Sequence, residues 1–337
     1  MSNIEPVLAN PTDTDTDTDL AQLPFSDLYL EPDGLAWYKT YRDDPVRHSL
    51  PAHTRPAIAA LRESVLQQPK SEFRLVRNGV GMRGARFEID GGTLFVLRRT
   101  LEAPLDFLEL GYGSRVEAAM LSPASDGGRV YLFSGETGSG KTVGLSAWTV
   151  ERMRRFGGAA FTLENPIEIP MNGVYRGPTA EGTLYQQEID DDAQFGLEVR
   201  RRQRAAPNLI MLGELRTAEA VVQALLAAAS GIVIGATFHA ADQISGLQRL
   251  ASMVRDAGYD PGLFANSLAA VLHQKLTRVV RDGQPSWRLT VSPLIVNGSK
   301  EETSIRSQLH GADFRQLKPI IDRHRSVMTS SDPGMRF

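Results

Sequence analysis

Between residues 22 and 102 apolar and polar positions alternate in short runs. Asp27-Leu28-Tyr29-Leu30 and Leu35-Ala36-Trp37-Tyr38 flank Gly34 and predict a hairpin. Ile58-Ala59-Ala60-Leu61 and Val65-Leu66 repeat at helical spacing until Pro69 ends the run. Ala85 to Ile89 and Thr93 to Leu97 predict two further strands on either side of Asp90-Gly91-Gly92. Strand, strand, helix, strand, strand describes a small α+β domain over 22–102. Pro104, Gly111 and Gly113 mark a linker over 103–115.

From Val116 the pattern changes to strands alternating with helices, which predicts a parallel sheet. The predicted strands are Arg129 to Phe133, Ala159 to Leu163, Leu209 to Leu212 and Ile232 to Ala236. The helices between and after them are Val143 to Arg154, Ala193 to Arg204, Thr217 to Ser230 with Gly231 as its C-cap, Gln243 to Val254, and Phe264 to Val280. The remainder, to Phe337, mixes short strands and helices, so the second domain covers 116–337 with a mainly helical C-terminal part.

Four Thr-Asp repeats over Thr12 to Asp19 offer nothing to bury, and 1–21 is expected to be a disordered acidic tail. The 337 residues suit two domains, and 23% charged against 42% hydrophobic residues suits a globular chain. A net charge of −3 argues against a chain built to coat nucleic acid. The lack of cysteine excludes disulfides, thiol nucleophiles and Cys-ligated zinc. No stretch reaches the roughly 20 apolar residues of a bilayer span, and the N-terminus has no signal pattern. A soluble, cytoplasmic chain with at most peripheral membrane contact is expected.

Gly135-Glu136-Thr137-Gly138-Ser139-Gly140-Lys141-Thr142 is a complete G-x-x-x-x-G-K-[ST] phosphate loop, placed after a strand and before a helix. Its backbone N–H groups turn inward around phosphate, and the helix N-terminus adds its positive end. Lys141 brings a cation to the β- and γ-phosphates, and Thr142 a hydroxyl to Mg²⁺. Three other strands also end in polar residues: Thr162-Leu163-Glu164-Asn165-Pro166-Ile167-Glu168, Gly213-Glu214-Leu215-Arg216 and Thr237-Phe238-His239. Open α/β sheets bind ligands at that edge, so the set reads as a nucleotide hydrolase. Glu214 would hold Mg²⁺ through water or position the nucleophile, and Glu164 competes with it as base. His239 would sense the γ-phosphate. Arg200, Arg201, Arg202 and Arg204 form the densest basic cluster, with Arg200 and Arg204 on one helical face. An arginine there would stabilise transition-state charge; a solvated face is the plainer alternative. No aromatic residues interleave to read nucleic acid directly.

In this order, the four boxes resemble those of the secretion-superfamily traffic ATPases, the family of pilus-retraction and type IV secretion motors. Thr162 to Glu168 is similar to their Asp box, Leu212 to Arg216 to their Walker B box, and Ala236 to His239 to their His box. Arg200 and Arg204 match two arginines of that pattern. The similarity extends to Ser26 to Leu30, Phe107 to Gly111, and Ser267-Leu268 with Gln274-Lys275-Leu276, the last matching a late helix of the motor. It covers about 25–300. The resemblance implies a RecA-like P-loop motor domain with a parallel-strand core, preceded by a PAS-like α+β domain. It also implies a homohexameric ring using ATP and Mg²⁺, with a peripheral inner-membrane secretion or conjugation complex as partner. N-terminal-domain arginines, among Arg83, Arg86, Arg98 and Arg99, would approach nucleotide. Within the family the chain looks closest to the DotB- and TraJ-type ATPases of type IVB secretion and conjugation.

Two positions depart from the family pattern. Asn165 stands where the Asp box usually carries aspartate, and Asn208 replaces an aspartate before the Walker B strand. Catalysis then leans on Glu164 and Glu214. A hexameric nucleic-acid translocase and a nucleotide-gated assembly module with little turnover are the competing readings. A GTPase would need an Asn-Lys-x-Asp motif and a transporter cassette a Leu-Ser-Gly-Gly-Gln signature; neither occurs.

Overall fold

The computed structural model describes residues 18–77, 79–123, 128–281 and 284–329. Of the tail expected over 1–21, residues 1–17 lie outside them. The chain divides into two compact units, 1–102 and 103–337.

The first unit runs α1 (Thr18–Gln22), β1 (Asp27–Leu30), β2 (Ala36–Lys39), β3 (His48–Ser49), α2 (Arg55–Leu66), β4 (Glu72–Arg77), β5 (Val80–Ile89) and β6 (Gly92–Arg99). The strands form one antiparallel sheet in the order β3-β2-β1-β6-β5-β4. Leu28, Leu30, Phe73, Met82, Phe95 and Leu97 pack one face of it against Ala57, Ile58, Leu61 and Val65 of α2. Two expectations change. The sheet has six strands rather than four, because Glu72–Arg77 pairs with β5 and His48–Ser49 pairs with β2. The end of the supposed tail is helical: Leu20 is buried in this core, and Arg99 donates to the carbonyls of Ala21 and Leu23.

The second unit contains α3 (Ser114–Met120), β7 (Val130–Gly135), α4 (Lys141–Phe156), β8 (Gly158–Glu164), β9 (Gly173–Arg176), β10 (Glu181–Glu188), α5 (Phe195–Gln203), β11 (Leu209–Leu212), α6 (Ala218–Ala229), β12 (Val233–His239), α7 (Gln243–Asp256), α8 (Pro261–Ser267), β13 (Leu268–Arg281), β14 (Gln284–Ile295), α9 (Glu302–His310) and α10 (Leu317–Thr329). Its eight-stranded sheet has the order β14-β13-β7-β12-β11-β8-β10-β9. The six inner strands are parallel, and β14 and β9 run antiparallel at the two edges. Strands covered on both faces need near-continuous apolar runs, and Leu209 to Leu212 is buried throughout. Helix α4 is anchored by Trp148, fully buried against Tyr131 and Phe133, whose indole N–H donates to the Met120 carbonyl at 2.8 Å.

The largest correction falls on the predicted helix from Phe264 to Val280. Only Pro261–Ser267 is helical; from Leu268 the chain is a strand, paired with β7 on one side and β14 on the other. Leu268-Ala269-Ala270-Val271-Leu272 is buried throughout. An unbroken apolar run carries no period by which a helix can be told from a central strand. The segments matched above to a late motor helix therefore straddle the end of α8 and the strand β13. The C-terminal part accordingly carries a long β-hairpin as well as helices. The 103–115 segment is not a free connector: Phe107, Leu110 and Tyr112 are buried, with the Tyr112 ring 6.5 Å from that of Phe133. Gly231, at φ +100°, follows the actual C-cap, Ser230. Among the described residues, no helix is long and apolar enough to cross a membrane.

Candidate nucleotide-binding site

Parallel pairing sets the carboxyl ends of β7, β12, β11 and β8 side by side, with His239 opposite Gly135, Ala236 opposite Leu212, and Leu212 opposite Leu163. From the end of β7 the chain turns through Gly135, Gly138 and Gly140, all at positive φ, into α4. A Cβ at Gly135 would run into the Gln274 carbonyl and the Ser139 side chain, so the cradle closes only around glycine. The Ser139 hydroxyl is buried inside it without a protein hydrogen-bond partner. Glu136, Thr137 and Gly138 are exposed, and Thr142 is half-buried on the first turn of α4.

Lys141, only 7% exposed, donates to the carbonyls of Gly135 at 2.9 Å and Glu136 at 2.8 Å. Its Nζ also lies 3.4 Å from His239 Nδ1. The other ring nitrogen, Nε2, lies 3.3 Å from Glu214 Oε1. His239 thus bridges the loop lysine and the carboxylate that follows β11. Burial, followed by the Lys141 charge, holds its pKa below the ordinary value, with Glu214 acting in the opposite sense. The second Glu214 oxygen takes Arg216, whose Nε is 2.8 Å and terminal nitrogen 2.7 Å away. Beside this cluster a cleft of about 510 Å³ is lined by Glu136, Thr137, His239, Ser245 and Arg249.

Glu164 ends β8 and is 2% exposed. Burial pushes its carboxyl up to about 7, against hydrogen bonds from Thr162 Oγ1 at 2.6 Å and Gln186 Nε2 at 3.0 Å. Gly213, next to Glu214, packs against it: a Cβ there would stand 3.3 Å from the Glu164 Cα. Two strand spacings, about 10 Å, separate the backbones of β7 and β11, and three separate those of β7 and β8. Glu214 is therefore bridged to Lys141, while Glu164 stands one strand further out.

Arg200 and Arg204 are exposed on α5 and its C-cap; Arg200 pairs with Glu219 at 2.8 Å, and neither is hydrogen-bonded or ion-paired to the loop. Within the first unit, Arg83 pairs with Glu72 and Arg98 with Asp27, while Arg86 lies over Phe95 and Arg99 over Phe25. Asn208 lies at the opposite end of the sheet from the loop: its Oδ1 accepts the Ala159 N–H at 2.9 Å, bridging the starts of β11 and β8. Asn208 thus ties two strand starts together, away from the loop. Sequence reasoning missed Arg216 and Asp192, which join at 2.7 Å, together with Gln186 and Arg249. Arg216, two residues after Glu214 and opposite in charge, carried a local signal; Asp192 and Gln186 meet the site only through folding. Among the described residues, no group of three or more His, Cys, Asp or Glu is arranged to hold a metal.

The model of a family described as type II/IV secretion system protein matches residues 65–307, most of the chain. The chain belongs to that family. It is 29% identical to the type II secretion system protein HxcR of Pseudomonas aeruginosa over 298 residues, 82% of this chain and 60% of HxcR. It is 34% identical to the type II secretion system protein E of Aeromonas hydrophila over 151 residues, 45% of this chain and 28% of that protein. The chain thus spans less than two thirds of these relatives. Among solved structures, the pilus retraction motor PilT with bound ADP superposes at a TM-score of 0.67 and 20% identity, covering 91% of this chain and 88% of PilT. The ATPase DotB of Legionella pneumophila superposes at 0.65 and 20%, covering 93% of this chain and 89% of DotB. This mixed α/β fold with its parallel core is the one those ATPases share.

Proposed function

We propose that this family member is a Mg²⁺-dependent ATPase of a type IV secretion, conjugation or pilus system. In this reading it works as a homohexameric ring on the cytoplasmic side of an inner-membrane complex and couples hydrolysis to export or assembly. In this reading it is an ATPase of the DotB/TraJ type. The observation that carries the reading is the bridge from Lys141 through His239 to Glu214 at the mouth of a phosphate loop.

The loop fits a nucleotide triphosphate. Its glycines bring backbone N–H groups inward, the buried Ser139 hydroxyl lacks a protein partner, and Lys141 is held at the loop by two carbonyls. Thr142 and Glu214 offer oxygen atoms only, which suits a hard cation. They would hold Mg²⁺, which supplies charge neutralisation on the phosphates when bound. Lys141 exchanges its contacts with the loop carbonyls for phosphate oxygens. Glu214, fixed on one oxygen by Arg216 and on the other by His239, orients the attacking water. Glu164, with a proton affinity near neutrality, takes the proton, as an effective base at neutral pH should. Arg200 and Arg204, exposed on α5, would meet nucleotide only across a subunit boundary. One of the first-unit arginines Arg83, Arg86, Arg98 and Arg99 would do the same.

The test is steady-state ATP hydrolysis by wild type, Lys141→Ala and Glu214→Gln, with ring formation followed by light scattering. Turnover in wild type, reduced about 100-fold or more in both variants and tied to the assembled ring, is expected. The clamp on both Glu214 oxygens favours one competitor, a nucleotide-gated module. ATP binding and ring formation with wild-type turnover no faster than that of Glu214→Gln would select it.

A further inference from the structure

We infer that Asp192 is the positioning carboxylate of this site, and that Asn165 is an amide because it serves Asp192; the inference rests on the nucleotide reading above. Asp192 opens a short 3-10 turn, Asp192–Gln194, just before α5, and the turn is pinned by the Asp191 side chain accepting the Ala193 N–H. Its two oxygens have separate partners. Oδ1 accepts the Asn165 side-chain N–H at 3.0 Å, and Oδ2 accepts from Arg216 at 2.7 Å. Arg216 passes the charge on to Glu214 at 2.7 Å, Glu214 meets His239 at 3.3 Å, and His239 meets Lys141 at 3.4 Å. A single line of contacts therefore runs from the residue after Glu164 to the lysine of the phosphate loop.

The signs along this line leave little freedom. Arg216 faces two carboxylates. Hydrogen bonds to Asp192 and to Glu214 hold the guanidinium between them. Without Asp192 the guanidinium would be free to turn wholly onto Glu214 and draw it from the loop. A carboxylate at position 165 would set two like charges at hydrogen-bond distance, whereas the amide supplies the donor that Oδ1 requires. Asp192 acts through Arg216 on Glu214 and is a positioning residue.

The test is a charge swap in the full chain: Asp192→Asn, Asn165→Asp and the double variant, beside wild type. Asp192→Asn turns an amide toward Arg216, and Asn165→Asp creates the like-charge pair. In the double variant the amide introduced at position 192 accepts from Arg216 through its carbonyl, while its N–H donates to the carboxylate introduced at position 165. Each single variant is expected to lower kcat about tenfold with KM for ATP changed less than about threefold, and the double to recover to within about threefold of wild type. Melting temperatures identify any variant that fails to fold, and a fluorescent ATP analogue titrated over a series of Mg²⁺ concentrations supplies a readout apart from turnover. The Mg²⁺ requirement for binding should rise in the single variants and return in the double. An unchanged kcat in Asp192→Asn, or a double variant no better than the worse single one, overturns the inference. If wild type binds nucleotide without turning it over, hydrolysis is the claim that fails. The Mg²⁺ series then decides for Asp192: recovery in the double supports it, and a flat series across all four proteins rejects it.

Discussion

His239 Nδ1 lies 3.4 Å from the Lys141 ammonium. An ammonium has no lone pair, so the ring nitrogen accepts, and the ring proton sits on Nε2, facing Glu214. Burial and the Lys141 charge both disfavour imidazolium. Nitrogen-15 NMR of the ring should show the Nε2–H tautomer, titrating below the ordinary histidine value of about 6.5. A folded pKa below the unfolded one means stability present above pH 6.5 and lost as the pH falls through the folded value. A ring titrating at or above 6.5 would break the bridge as described.

Glu164 has the opposite sign. Its folded pKa is raised from 4.5 to about 7. Its contribution is therefore fully present below about pH 4.5 and is lost as the pH rises through 7, where the buried charge costs about 3 kcal/mol. Glu164→Gln keeps an oxygen for Thr162 and Gln186 while removing that charge. The variant should melt several degrees above wild type at pH 8.5, with the gap closing below pH 5. If Glu164 is the base, the rate should also rise with pH through about 7 in wild type, and the variant should lose about 100-fold in turnover while still binding ATP.

Gly144, on the face of α4 toward β7, has no room for a methyl. An added Cβ would collide with the Tyr112 hydroxyl, with Gln274 Oε1 at 3.1 Å and Phe133 at 3.2 Å. Tyr112 is 1% exposed and cannot swing away. Gly144→Ala should cost about 1–3 kcal/mol by thermal melting, and Tyr112→Phe in the same chain should restore part of it. Two independent, additive losses would contradict the collision.

The Arg200–Glu219 pair is exposed on both sides, so its removal should change stability by less than about 1 kcal/mol. If Arg200 and Arg204 act across a subunit boundary, Arg200→Ala and Arg204→Ala will leave the melting temperature unchanged and lower turnover only in the assembled protein. Equal activity of variant and wild-type rings would return both residues to a solvated face.

Asn165, read from the sequence as a lost carboxylate, becomes intelligible beside Asp192, 27 positions along the chain. The two are joined by the turn into α5, and the pairing had no local signal. The same limit hid the strand β13. Leu268 to Leu272 is apolar and buried at every position, and period 2 and period 3.6 are then equally silent. The β9–β10 hairpin escaped because β9 is short and half-exposed, and with it went Gln186, one of the two donors holding Glu164. Phe107 and Tyr112, amid the glycines and proline of 103–115, looked like linker residues until the α4 side of the sheet closed over them.

What the sequence by itself determined is local. The phosphate loop depends on glycines whose positive φ values are written into the chain, and the boxes after β8, β11 and β12 fall at strand ends that short apolar runs and their breakers delimit. What only the tertiary structure decided is the order of the sheet, with β13 set beside β7 across more than a hundred residues, and everything that follows from adjacency. His239 joins Lys141 to Glu214, Arg216 is shared between Glu214 and Asp192, and the Glu164 carboxyl is pushed to about 7. Hydrogen-bond distance and burial belong to pairs of segments far apart in the chain, so no window of sequence contains them.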